Sequence, residues 1–373
     1  WLWSTVDLLD GPHTLRAEAR NELGVGSADV TVLLDNTAPV GDVSVPSWSA
    51  HSQVPFTIVG SDAATVQFSN NWVWEGETFY FGRGNGRLVV DSDALNGRAL
   101  MGRAGLDAAG AWFGPYTCIL PWPAAYEAVY RLKTTERTPG LALAELDIAD
   151  LRGTRRLGHL ERLTADTLAR DRAYDEVALP FNYNVQAPTC TDPKESDGLE
   201  FRTNYLGQQD LYLDRVTVFS APTPLQSPIT WTVRAVEGAQ PVIVRLRDEA
   251  GNPYDQTVTV RLDWMPPHWL DGSGRVQRVI DTVSGLQPAS ASCAFSADGG
   301  ATWSEWLALD PGCAPGTTAP VLLVAPDPQT TLGLAATHVK FTVTDLAGNV
   351  STSPAQLLSE GAVRDIALPM ILR

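Results

Sequence analysis

Apolar residues along this 373-residue chain recur at every second position in short runs: "VTVLL" (30–34), "VIVRL" (242–246), "VTVRL" (258–262) and "VKFTV" (339–343). A period of two is the mark of strands with one buried face. The 31 glycines and 26 prolines fall between such runs, so they punctuate strands. The pattern predicts an all-β chain, and its length suggests two to four domains. No apolar run reaches the roughly 18 residues that a membrane-crossing helix needs.

Three segments share one plan. They are "EARNELGVGSADVTVLLDNTAP" (18–39), "RLRDEAGNPYDQTVTVRLDWMPP" (245–267) and "TVTDLAGNVSTSPAQLL" (342–358). Each is an alternating strand, a turn and a second strand. Asp248, Gly251 and Asn252 align with Asp345, Gly348 and Asn349, whereas the first copy has Asn21, Gly24 and Val25. Gly and Asn tolerate positive φ, and an Asx side chain can bond the backbone just beyond it, so the composition is that of a hairpin turn. These units resemble the bacterial immunoglobulin-like repeats of large secreted proteins, in which "D-x-x-GN" precedes the last strand and "D-N-T-x-P" opens the next domain. "DNTAP" (35–39) and "DWMPP" (263–267) stand at that junction.

"FSADGGATWSEW" (295–306) resembles the Asp-box hairpin of sialidase propellers, and "TVQFSNNWVWEGE" (65–77) resembles a shortened copy of it. A propeller would repeat the box across its blades. Here both copies fall at one place in the immunoglobulin-like repeat. The strands that should follow the shortened copy come only at "PITWTVRAVEGAQPVIVRL" (228–246), which predicts a second domain inserted in a loop of the first. The expected fold is therefore a tandem of immunoglobulin-like β-sandwiches with an inserted jelly-roll β-sandwich. Its parts are 1–38, the last strands of an incomplete immunoglobulin-like domain; 39–77 with 222–266, a split one; 78–221, the insert; 267–358, an intact one; and a tail strand, 359–373.

Inside the insert, "VDSDALNG" (90–97), "AWFGPYTCILPWPAAYEAVYRLKT" (111–134) and "LYLDRVTVF" (211–219) resemble the galactose-binding-like superfamily, especially carbohydrate-binding modules of the CBM6/CBM35 type. The resemblance implies a jelly roll that binds a carbohydrate, with a structural calcium joining its first and last strands. Asp91, Asp93, Asn96 and Asp214 are hard oxygen donors suited to that Ca²⁺. A convincing E-x-E start, the other half of the usual site, is lacking. Trp112, Phe113, Tyr116, Trp122 and Tyr205, with Tyr183, are candidate stacking platforms for a sugar, and Asn204, Gln208 and Asp210 could bond its hydroxyls. The alternative is that "AWFGPY" is a core strand whose aromatics pack between sheets. The Arg-rich stretch 150–176 alternates acids and bases that can pair locally.

The net charge of −16 argues against a nucleic-acid partner, which would need a basic stripe. The five histidines are spread over four modules without metal spacing, and no nucleophile elbow exists, so no enzymatic site is expected. Four cysteines lack any CxxC spacing. If the repeats are extracellular, Cys118 with Cys190 and Cys293 with Cys313 are the natural disulfides; four free buried thiols are the alternative. The tail "VRDIALPMILR" (363–373) resembles endings of secreted proteins from Chloroflexi-like bacteria, which implies sorting or anchoring. Together these readings predict an extracellular or cell-surface, non-catalytic stalk. Its partner would be a polysaccharide or cell-surface glycan, or the chain would self-assemble as a spacer or filament component; the ancillary region of a secreted hydrolase is a further alternative.

Overall fold

A computed structural model describes residues 5, 8–135, 138, 140–168, 172–184 and 197–358. The chain is all-β; among the described residues there is one short α-helix, Pro328–Leu332, and no helix long and apolar enough to cross a membrane. It forms two compact units. One comprises Trp1–Ser44, Thr57–Ile229 and Pro241–Val258, and the other Val45–Phe56, Thr230–Gln240 and Thr259–Arg373. The segments expected to make the split sandwich are thus shared between the two units.

The first unit contains two large antiparallel sheets. Five strands run in the order Arg155–Thr164, Ala142–Asp150, Leu199–Tyr205, Gly110–Thr117, Tyr80–Phe81. The other sheet runs Asp175–Tyr183, Ala124–Lys133, Leu211–Ser220, Arg98–Gly102, Arg87–Val90, with Val73–Glu75 added to the Leu211–Ser220 strand. Strand alternation sends Trp112, Phe201, Tyr205, Leu146 and Ile148 into the core, each 1% exposed or less. Val73–Glu75 lies on the host side of the expected boundary yet pairs with the insert, through Val73↔Thr217, Trp74↔Val216 and Glu75↔Arg215. Gly76 permits that approach. A Cβ there would sit 2.1 Å from the Leu213 carbonyl oxygen, so only glycine fits.

Strand Gly238–Arg247 pairs with Thr65–Ser69 and carries the contacts to the jelly-roll strands. The guanidinium of Arg245, 2% exposed, binds Glu176 and Asp255 and lies 4.2 Å from the centre of the Phe219 ring. Arg247 pairs with Glu127 at 2.7 Å. Ile243, Val129 and Phe219 form a buried cluster beside them, against which Val73 packs.

In the second unit the sheet Leu307–Ala308, Leu286–Ser296, His338–Asp345, Val350–Thr352 and the smaller sheet His268–Ser273, Val276–Ile280, Val321–Val324 contribute to one core. Cys293 and Cys313 are both free thiols within it, which corrects the expected disulfide. Each packs as a small apolar residue, and burial pushes the Cys293 thiol up to about 11. Cys118 is disulfide-bonded; its expected partner, Cys190, lies outside the described residues, as does the tail 359–373.

The repeated turn is the same at atomic level in two places. Asn252 donates its backbone N–H and its side-chain amide to the Asp248 carboxylate at 2.9 and 2.8 Å, and the amide also reaches the Asp35 carbonyl at 2.9 Å. Asn349 does the same to Asp345 at 2.9 and 2.8 Å and to the Asp263 carbonyl at 2.7 Å. Gly251 and Gly348 hold φ of 93° and 98° between them. The junction aspartates 35 and 263 are therefore tied to the turn by a single Asn, which explains why both motifs recur as a pair.

Candidate functional site

Register across the five-stranded sheet aligns one side chain from each strand on the outward face. His159 is opposite Asp147, Asp147 opposite Arg202, Arg202 opposite Phe113, and Phe113 opposite Tyr80. Such a row brings side chains of opposite partners within contact distance. At one end the rings of Tyr80, Phe113 and Tyr116 form a triangle with centroids 5.8, 6.0 and 6.2 Å apart. Tyr80 is 42% exposed. Tyr116 reaches the triangle because the strand shifts register between Pro115 and Thr117, where Tyr116 takes φ of 64°. A bulky residue in the left-handed region costs about 1–3 kcal/mol, offset here by ring contacts.

Beside the rings lies a charged floor. Arg202 Nε donates to Asp147 at 2.5 Å, Asn204 Nδ2 donates to the same carboxylate at 3.2 Å, and Arg156 lies 3.7 Å from it. Asp147 is thereby sealed, with its backbone carbonyl accepting from the buried Tyr130 hydroxyl. Glu200, 3% exposed, projects to the same side as Arg202, and its Oε1 has no hydrogen-bond partner. Burial holds the Glu200 carboxyl above its ordinary range, with Asp147 and Asp150 adding to the rise against Arg202. Burial also raises the Tyr116 hydroxyl, with the Glu200 charge next in order. The arrangement sets ring faces, of which Tyr80 is the most open, beside a charged floor whose Glu200 oxygen is buried.

Several candidates from the sequence stand elsewhere. Trp112 and Tyr205 are core residues: their rings stack at 5.4 Å between the sheets, and Trp112 Nε1 donates to the Asn85 carbonyl at 2.7 Å. Tyr183 is buried too. Trp122 is 48% exposed, but no ring contact joins it to the triangle. Gln208 accepts from the Ala142 N–H at 3.2 Å and Asp210 from the Ala104 N–H at 2.8 Å, so both shape loops. Phe113, Tyr116 and Asn204 do meet on the outward face, joined by Tyr80, Glu200 and Arg202, which sequence reasoning did not single out. The Arg-rich stretch pairs locally, with Arg155 on Asp150 and Arg152 3.5 Å from Asp197.

The expected calcium donors divide into two groups. Lys133 Nζ lies 2.5 Å from Asp91 and 3.2 Å from Asp93, with Tyr174 and Tyr212 rings 4.7 and 4.9 Å away. Asp91 also accepts from the Tyr174 hydroxyl, so its charge is already balanced. Asp91 and Asp93 thus serve Lys133, a correction to their expected role. Asp214 and Asn96 instead face Glu75 and Glu77, the E-x-E element that sequence analysis left in the host. Asn96 Nδ2 donates to Glu77 Oε1 at 2.7 Å. Glu75 Oε2 and Glu77 Oε2 are buried without partners, and burial raises the Glu75 carboxyl, with Asp214 and Glu77 adding to the rise. Oxygens that share one hard cation must lie within about 5 Å of one another; among the described residues the carboxylates that do so are Asp263, Asp281 and Asp345, and Glu75, Glu77 and Asp214 are not among them.

In the second unit Asp263, Asp281 and Asp345 are buried with carboxylate oxygens within 4.8 Å of one another. Burial raises Asp281 and Asp345, opposed by backbone N–H donors from Gly285 and by the Asn349 amide. The Asp-box closes on itself. Asp298 accepts from the Thr302 backbone and hydroxyl and from Ser296, which holds its carboxyl well below the usual range. Trp303 caps the turn through Nε1 to the Gly300 carbonyl and, with Trp306, flanks the Lys340 ammonium. All of the hairpin's named donors and acceptors are spent on its own shape.

No protein-family model and no curated protein matches the chain. Among solved structures, it is similar to the C-terminal CBM6 of a marine laminarinase from Zobellia galactanivorans, with 12% identity over 39% of this chain and 96% of that one and a TM-score of 0.28. It is similar to the CBM22-1–GH10 modules of Clostridium thermocellum xylanase 10B complexed with xylohexaose, at 12% identity over 40% and 27% of the two chains and a TM-score of 0.25. It is also similar to a tetra-tandem repeat in the extending region of a large adhesion protein, at 14% identity over 94% and 83% and a TM-score of 0.20.

Proposed function

We propose that this chain is a non-catalytic, extracellular binding region, in which immunoglobulin-like units carry a jelly roll that binds carbohydrate on the outward face of its five-stranded sheet. The observation that carries the reading is the Tyr80, Phe113 and Tyr116 triangle set beside Arg202 and the unpartnered Glu200 oxygen. Sugar rings present C–H faces that stack on aromatics, and their hydroxyls donate to carboxylates and accept from guanidinium groups. Phe113 and Tyr80 would supply the stacking surface, and Arg202 the orientation. The insertion reading is supported by a serine. In the intact hairpin the Phe295 N–H donates to Ser304 Oγ at 3.0 Å; in the shortened copy the Phe68 N–H donates at 3.0 Å to Ser220, at the exit of the insert. Affinity electrophoresis of the full chain through gels containing individual polysaccharides tests the function. Retardation by at least one of them that is lost in Phe113→Ala supports it, and equal mobility of wild type and variant in every gel refutes it.

A spacer or self-assembling role is favoured by one observation. Strands Gly11–Asn21 and Gly24–Leu34 form a lone hairpin whose one face carries Leu15, Ala17, Ala28, Val30 and Val32, with Leu15 and Val30 36% and 57% exposed. The opposite face is mixed: Arg16 lies 3.2 Å from Glu18, and Val25 and Leu33, 52% and 80% exposed, share that face. An isolated two-stranded hairpin is marginal in water, so that apolar face calls for a second sheet. Chain-concentration dependence of sedimentation would reveal a second copy as its source.

A further inference from the structure

The host strand Gly238–Arg247 is buried on both of its faces. Its register with Thr65–Ser69 puts Val244 opposite Phe68 and Leu246 opposite Val66, all 2% exposed or less. Leu246 Cδ1 lies 3.2 Å from where a Cβ on Gly41 would stand, so this face looks into the host. The alternate positions carry Ile243 opposite Ser69 and Arg245 opposite Gln67, and these are buried as well. The insert covers them. Ile243 packs with Val129 and Phe219, Arg245 binds Glu176, and the Gln67 amide donates to the Ser220 carbonyl at 2.9 Å. The repeat supplies an internal control. Aligned on the shared turn, Ile243, Arg245 and Arg247 correspond to Lys340, Thr342 and Thr344 of the intact unit. There the strand His338–Asp345 simply alternates between buried and half-buried positions.

We infer that the insert is a third layer of its host rather than a module on a tether, and that the two fold and open as a single cooperative body. A run of ring contacts crosses the boundary twice. Trp72 meets Tyr126 at 5.7 Å, Tyr126 meets Phe181 at 5.5 Å, Phe181 meets Phe201 at 6.3 Å, and Phe201 meets Trp74 at 5.0 Å. The run starts and ends on the two tryptophans of the shortened hairpin, and Phe201 sits between Glu200 and Arg202, beneath the outward face. Neither connection is a free linker. Val73–Glu75 pairs with Leu211–Ser220 on the way in, and Thr223 and Pro224 pair with Val66 and Thr65 on the way out. Between them the Ala221 N–H donates to the Ala125 carbonyl at 3.0 Å. Opening the host alone would strip Trp72 and Trp74 from the insert's rings. Opening the insert alone would bare Ile243 and part Arg245 from Glu176. Each side's stability therefore includes contacts made by the other, which is the condition for one cooperative transition. The outward face is presented rigidly on the host strands as a result.

Hydrogen exchange of the full chain, followed by mass spectrometry through increasing guanidinium chloride, tests the inference. In wild type the slowest amides of Ala124–Lys133, in the insert, and of Thr65–Ser69, in the host, should converge on one opening with one midpoint. Leu246→Ala truncates a side chain on the face turned away from the insert. It should nevertheless speed exchange of both strands by the same factor, at least tenfold. Phe181→Ala, inside the insert, should speed the host strand equally. Two separate midpoints in wild type overturn the inference. So does an insert strand whose exchange is unchanged in Leu246→Ala while that of the host strand rises. The wild-type midpoints decide the matter even where a variant fails to fold, and neither result depends on glycan binding.

Discussion

Replacing Asp281 by Asn should stabilise the second unit in the absence of divalent cations. Asp281 is 5% exposed and shares a buried pocket with Asp263 and Asp345, all with carboxylate oxygens within 4.8 Å. At an effective dielectric of about 20, two full charges about 5 Å apart repel by roughly 3 kcal/mol. Partial protonation limits that penalty, because a carboxyl with a raised pKa takes up a proton at about 1.4 kcal/mol per pH unit. Asn keeps the oxygen that accepts from the Val283 and Gly285 N–H groups at 3.1 and 2.7 Å. The expected gain at pH 7 is about 1–2 kcal/mol, or a few degrees in the unfolding temperature. The pH dependence follows from linkage. Asp281 and Asp345 have folded-state values above their unfolded ones, so the folded chain binds more protons. Wild-type stability should therefore rise as pH falls from neutrality through the raised values toward the ordinary carboxylate range, and level off below it. In Asp281→Asn the slope should flatten. Differential scanning calorimetry in EDTA between pH 4.5 and 8 measures both effects. A variant that unfolds at lower temperature than wild type at pH 7 in EDTA, with an unchanged pH slope, would refute the reasoning.

Arg245→Met should destabilise the first unit by about 2 kcal/mol, less than a fully buried pair would lose because Glu176 and Asp255 are about a third exposed; urea unfolding, with a cycle against Glu176→Gln, isolates the pair. Gly76→Ala places a methyl 2.1 Å from the Leu213 carbonyl and should cost about 1–3 kcal/mol, read as faster amide exchange in the Val73–Glu75 strand. Asp298→Ala should leave glycan binding unchanged while raising exchange of the Thr302 amide, which Asp298 accepts at 2.8 Å; a loss of binding would return the Asp-box to the list of functional sites.

The all-β architecture was legible because strand alternation and turn chemistry are local. The Asp-x-x-Gly-Asn turn could be read from its residues, since Asp248 and Asp345 satisfy neighbours four positions on. The aromatic site was half legible. Trp112 and Phe113 are adjacent in one strand, so one must face inward, and the segment "AWFGPY" does not say which. Tyr205 carried a usable signal, because Glu200, Arg202 and Asn204 occupy the alternate positions and mark its own side as the core. Tyr80 was missed because it joins Phe113 only through long-range pairing. The E-x-E element was missed for a similar reason. Glu75 and Glu77 were assigned to the host by the hairpin's length, yet Val73–Glu75 pairs with Leu211–Ser220 far along the chain. Lys133 and Arg131 looked like ordinary strand residues, and only the fold shows them occupying the carboxylates expected to bind metal.

A glycan array probed with the full chain tests the central claim most directly, with Phe113→Ala, Tyr80→Ala and Trp112→Phe in parallel. The account predicts that wild type binds a defined set of glycans, that loss of either outward ring weakens binding about tenfold or more, and that Trp112→Phe keeps it while lowering stability. Binding that persists in both outward-ring variants, or no binding by wild type to any glycan, would contradict it.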